Sequence, residues 1–143
     1  MRTKAFLGSP GMSISGGRAV VDSFVASAGS GDAHWAVVNL GTNDILNGMP
    51  SPGPTQEADL AYILDAFHSR WPAIRVVVVT PWYGDSANQT LMANRIANVV
   101  SSRAAWIVTI DEATFLSGNL DGIHPTATGY NLTAAAIKAA MGY

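Results

Sequence analysis

The chain has 143 residues, 48% of them hydrophobic and 13% charged, with 14 glycines, 7 prolines and a formal net charge of -2. That composition suits one compact globular domain rich in turns and argues against disorder. The absence of cysteine excludes a disulfide scaffold, a thiol nucleophile and a thiolate metal site, and no run of Lys or Arg offers a nucleic-acid or anionic-membrane surface.

Residues 1–15 carry a short apolar stub, Ala5-Phe6-Leu7, that Gly8, Pro10 and Gly11 interrupt early, so a first strand there is abbreviated or missing. The stub is also too short for the apolar region of a signal peptide, and no apolar run approaches the roughly 18 residues of a membrane span. The compartment stays open between cytoplasmic and extracellular. After Gly16-Gly17 a helix is expected from about Arg18 to Ala28. Three apolar runs then read as buried parallel strands: Trp35 to Leu40, Ile74 to Thr80 and Trp106 to Ile110. The middle one holds Val76-Val77-Val78-Val79, β-branched and without alternation, as expected when both sheet faces are covered. Between and after them lie helical patterns at Ala58–Arg70, Leu91–Arg103 and Asn131–Met141, the first stopped by Trp71-Pro72. Strands alternating with helices at this spacing predict a three-layer α/β/α fold with a short parallel sheet, in one domain over residues 1–143.

Two motifs carry chemistry. In Asp121-Gly122-Ile123-His124-Pro125 an acid stands three residues before a histidine in a loop after the last strand. A carboxylate there can accept the imidazole Nδ1–H and leave the other ring nitrogen as a general base. Gly41-Thr42-Asn43-Asp44 follows the first strand, placing the Asn43 amide at a carboxyl end of the sheet, where open α/β sheets build sites. Its functional reading is an oxyanion donor, and its plain reading is a strand-ending turn. Met12-Ser13-Ile14-Ser15-Gly16-Gly17 precedes a helix. It is either a helix N-cap, at Ser15 or Gly16, or a source of a glycine N–H aimed at a developing oxyanion. His34, ahead of a strand, and His68, on the polar side of a helix, read as ordinary. No Gly-x-Gly-x-x-Gly or Gly-Lys-Ser/Thr cradle and no metal-ligand spacing is present.

In order and rough spacing, Gly16, Gly41-Thr42-Asn43-Asp44 and Asp121-x-x-His124-Pro125 resemble the second, third and fifth sequence blocks of the SGNH (GDSL-type) hydrolase family. The resemblance covers residues 12–143. It implies a flavodoxin-like α/β/α fold and hydrolysis of carboxylic esters without a metal or organic cofactor, with Asp121 and His124 as acid and base and with Gly16 and Asn43 as oxyanion donors. The family's first block, Gly-Asp-Ser at the end of the first strand, lies some thirty or more residues before the second, whereas this chain has only about fifteen residues there. Ser13, in Gly11-Met12-Ser13-Ile14-Ser15, imitates that block and leads the candidates for the nucleophile. Ser9 after Gly8 is the next, Ser15 reads as structural, and Ser86, in a literal Gly84-Asp85-Ser86, reads as a helix N-cap.

The expected function is therefore a serine esterase acting on small, acetyl-like esters of simple alcohols or carbohydrates. The alternative is a truncated domain that lacks its nucleophile and serves as a binding or structural module, or that needs a missing segment to supply the serine. An exposed sheet edge in the first strand's place would favour a homodimer. No nucleic-acid or membrane partner is expected.

Overall fold

The computed structural model describes residues 12–28, 31, 33–49, 52–83, 86–121 and 124–143. The stub Ala5-Phe6-Leu7 and Ser9 lie outside the described residues. In chain order the elements are α1 (Ile14–Ser27), β1 (Trp35–Asn39), α2 (Thr42–Leu46), α3 (Gly53–Arg70), β2 (Arg75–Thr80), α4 (Ala87–Ser101), β3 (Ile107–Asp111), α5 (Ala113–Leu116), β4 (Leu120–Asp121), β5 (His124–Pro125) and α6 (Ala127–Ala140).

Strands β1, β2 and β3 form a parallel sheet in that order, with Val37 beside Val77 and Val77 beside Val108. The valine run of β2 feeds both faces. Val76 and Val78 join a core with Ile63, Leu64 and Phe67 of α3, Met92 and Ile96 of α4, and Ile14 and Val21 of α1. Val77 and Val79 point the other way, to Ile110 and the partly buried Ala136, Ile137 and Ala140 of α6. Helices α1, α3 and α4 thus cover one face and α6 the other, which makes the expected α/β/α layering. Burial of each valine is worth about 1.5–3 kcal/mol, so this strand ties the two layers together.

Most helices start earlier than the hydrophobic periodicity predicts, because caps rather than apolar residues set their beginnings. Ser13 caps α1, whose first residue, Ile14, lies four residues ahead of the expected start. Gly17, expected before the helix, lies inside it and is needed there. A Cβ at Gly17 would come within 2.8 Å of Leu40 Cδ1 and 3.2 Å of Ile63 Cδ1, so the bare backbone lets α1 settle onto the sheet and α3. Helix α3 starts at Gly53 and holds Pro54 in its first turn, where a missing N–H costs nothing.

Candidate active site

Because the strands are parallel, their carboxyl ends share one edge of the sheet, and the Gly41–Asp44 segment leaves from it directly after β1. At the end of β1, Gly41 adopts φ 116°, a conformation suited to glycine, and turns the chain into α2. Asn43 and Asp44 fall in the first turn of that helix. The Asn43 amide donates to Met12 O at 3.1 Å, and Asp44 Oδ2 accepts the Ile14 N–H at 2.9 Å. These bonds draw the start of α1 to the exit of β1. Asp44 Oδ1 also accepts from Gln56 Nε2 at 2.8 Å, and Gln56 Oε1 accepts from the Arg95 guanidinium.

Ser13 Oγ accepts the Gly16 N–H at 3.1 Å as the N-cap of α1, so the cap is Ser13 rather than Ser15 or Gly16. Ser15 instead donates its hydroxyl to Asp59 Oδ2 at 2.8 Å. Ser86 caps α4 by accepting the Gln89 N–H at 3.1 Å, as its position predicts. In the resting structure the Gly16 N–H is therefore engaged by Ser13. One of the two hydrogens on Asn43 Nδ2 is used on Met12, which leaves the second for another acceptor.

The Asp121-x-x-His124 loop folds into a small antiparallel pair, β4 with β5, in which Asp121 stands opposite His124 and Leu120 opposite Pro125. Directly opposed residues in such a pair send their side chains to the same face, about 5 Å apart at Cβ. Both side chains are exposed. Among the described residues no hydrogen bond joins them, and none links this pair to the Ser13–Asn43 corner. Thr126 next caps α6 by accepting the Gly129 N–H at 3.2 Å, which ties the histidine strand to a regular helix.

Two residues that the sequence reading passed over shape this edge. Glu112, directly after β3, is 5% exposed and accepts from the Trp82 N–H at 3.3 Å and from the Thr133 hydroxyl at 3.0 Å. Burial pushes its carboxyl above the ordinary value, against the opposing pull of the Thr133 and Trp82 hydrogen bonds. Gln89 is buried under the β2 exit, donating to Pro81 O and accepting the Tyr83 N–H at 3.0 Å. A signal for Gln56 was present: it lies four residues before Leu60 on the stripe that continues through Ile63, Leu64 and Phe67. A polar side chain on an apolar stripe asks for a partner.

His68 corrects its expected place on the polar side of its helix. It is half-buried and stacks flat on Trp106, with ring centroids 4.4 Å apart and planes 5° from parallel. The cause is Trp106 itself, which enters β3 beside the end of α3 and covers the residue next to buried Phe67. Glu112 and His68 both lie outside the sequence motifs.

The chain belongs to the GDSL-like lipase/acylhydrolase family, whose model matches residues 3–132. Two solved structures share the fold. One is the salicylyl-acyltransferase SsfX3 from a tetracycline biosynthetic pathway, at 14% identity and a TM-score of 0.59 over 87% of this chain. The other is the OSK domain of Drosophila Oskar, at 16% identity and a TM-score of 0.61 over 93% of this chain. This chain spans 39% of the length of the acyltransferase and 72% of that of the OSK domain. No curated protein sequence matched the chain.

Proposed function

We propose that the chain is a serine esterase of SGNH type acting on small carboxylic esters, acetyl-like in the acyl part and carried by a simple alcohol or a sugar. The observation that carries this reading is the pairing of Asp121 with His124 across β4 and β5. Asp121 would hold the imidazole in one tautomer and stabilise the imidazolium, and His124 would take the proton of the attacking serine. Ser13 is the proposed nucleophile. As its oxygen turns from the Gly16 N–H toward the ester carbonyl, that N–H comes free, and with the second hydrogen of the Asn43 amide it would receive the tetrahedral oxyanion. His124 would pass that proton to the departing alcohol, and a water that it then activates would release the acyl group as the acid and restore the serine. If an alcohol took the place of water the same site would transfer the acyl group, the activity named for one structural neighbour.

The engagement of Ser13 Oγ as a helix cap favours a second reading, a domain without its own nucleophile that binds or assembles. Fluorophosphonate labelling of the purified chain, with intact mass and peptide mapping, separates the two. An adduct on Ser13 that vanishes in His124→Ala supports the esterase. An adduct on Ser9 moves the nucleophile, and a folded chain that takes no label leaves the second reading.

A further inference from the structure

Three helices meet at one buried carboxylate, and a fourth reaches it through an amide. Asp44 of α2 is 1% exposed and Gln56 of α3 is 0% exposed. Both Asp44 oxygens act as acceptors, Oδ2 from the first N–H of α1 at Ile14 and Oδ1 from Gln56 Nε2. Gln56 Oε1 accepts in turn from Arg95 of α4. Chemistry fixes the direction of this relay. A guanidinium has donors only, so it takes the amide oxygen and leaves the amide nitrogen turned to Asp44. A flipped amide would set donor against donor at Arg95 and acceptor against acceptor at Asp44. Arg95 therefore orients an amide, the amide holds a carboxylate, and the carboxylate holds the start of α1.

What that start carries gives the relay a purpose. Ile14 lies between Ser13 and Gly16 in sequence, and Asp44 adjoins Asn43. The Asn43 amide crosses the same gap in the opposite direction, to Met12 O. We propose that Gln56 and Arg95 are positioning residues for the oxyanion donors, acting through Asp44 to fix the separation of the Asn43 amide and the Gly16 N–H. This rests on the esterase reading above. Neither residue touches substrate. Donors held at one spacing act on the charge that develops during acyl transfer and little on the resting ester, so loosening them lowers kcat more than it raises KM.

The test uses the full chain and its Gln56→Met, Arg95→Met and Arg95→Lys variants. The readouts are Ile14 amide hydrogen exchange by NMR, and kcat and KM for p-nitrophenyl acetate. In the wild type the Ile14 amide is protected. Gln56→Met speeds its exchange relative to Val21 in the middle of α1, and kcat falls at least about tenfold while KM moves less than about threefold. Arg95→Met acts the same way more mildly, and Arg95→Lys, which restores a donor, recovers most of kcat. If Gln56→Met does not fold, the half-buried Arg95 pair carries the test. Unchanged Ile14 exchange, or unchanged kcat in an active enzyme, overturns the positioning role alone. A wild type that turns over no ester overturns the esterase reading, and this role with it.

Discussion

Thr133, in the middle of α6, donates its hydroxyl to Glu112 Oε1 at 3.0 Å and so joins the last helix to the end of β3. Burial raises the Glu112 carboxyl above its ordinary 4.5, with the nearby Asp111 charge adding to the rise. The native state therefore holds this proton more tightly than the unfolded chain does. The associated stability is full below pH about 4.5 and is lost as pH rises through the elevated value. Glu112→Gln cannot ionise, and its amide can still pair with Thr133 and the Trp82 N–H. Urea unfolding from about pH 4 to 7 should show the variant gaining on the wild type as pH rises. Parallel profiles would mean that Glu112 titrates as in the unfolded chain.

Gly129 is the one buried residue of α6, and a Cβ there would lie 2.8 Å from Asn119 O and 3.0 Å from both Leu116 Cδ2 and Pro125 Cβ. Backbone cannot retreat as a flexible side chain can. Gly129→Ala is expected to cost about 1–3 kcal/mol and to push α6 away from the His124–Pro125 strand. The ring resonances of His124 should shift along with the drop in unfolding midpoint. Wild-type stability in this variant would show that the strand yields freely.

Ser13 holds two assignments that substitution can part. Ser13→Ala removes the cap of α1 and should destabilise by about 1 kcal/mol. Ser13→Asp keeps a capping oxygen and should retain most of that stability. Loss of ester turnover in both variants marks the hydroxyl as the nucleophile. Retained turnover in Ser13→Asp limits Ser13 to capping.

Arg103 grips Asp65 with two hydrogen bonds, Nε to Oδ1 at 2.8 Å and a second guanidinium nitrogen to Oδ2 at 2.7 Å. The Arg103 hydrogen bond holds the Asp65 carboxyl below its ordinary 3.8. The Asp65 side chain is 53% exposed, so Asp65→Asn should cost no more than about 1 kcal/mol at neutral pH and low salt. That cost should fade as pH falls through the depressed value, where wild-type Asp65 also becomes neutral. A penalty that persists in strong acid would point to packing instead of charge.

Strands and layers were legible because burial writes them directly: a short, unbroken β-branched run is what a strand covered on both faces requires. Helix starts were less so. Their signal is a single capping oxygen, and Ser13 shares its neighbourhood with Ser15 and two glycines. The short helix α2 was hidden because Gly41-Thr42-Asn43-Asp44 has turn chemistry, and its helical form depends on Asp44 reaching a partner thirty residues back at Ile14. Glu112 was invisible for the same reason, and Gln56, although its place on an apolar stripe asks for a partner, gave no sign that its partners are Asp44 and Arg95. Their partners are far away in sequence, and only the fold brings those partners close. His68 went astray because helical periodicity counts neighbours on its own helix and cannot see Trp106.

Helix α3 runs 18 residues, from Gly53 at the motif-bearing edge of the sheet to Arg70 at the opposite one. At about 1.5 Å per residue it is a rod of roughly 27 Å. Its middle is clamped by Leu60, Ile63, Leu64 and Phe67, each no more than 2% exposed, while Gln56 near its first turn reaches the carboxylate beneath Asn43. The polar corner thus borrows its rigidity from an oily grip several turns away. A cavity cut at Phe67 would then be felt at Gln56 as wobble.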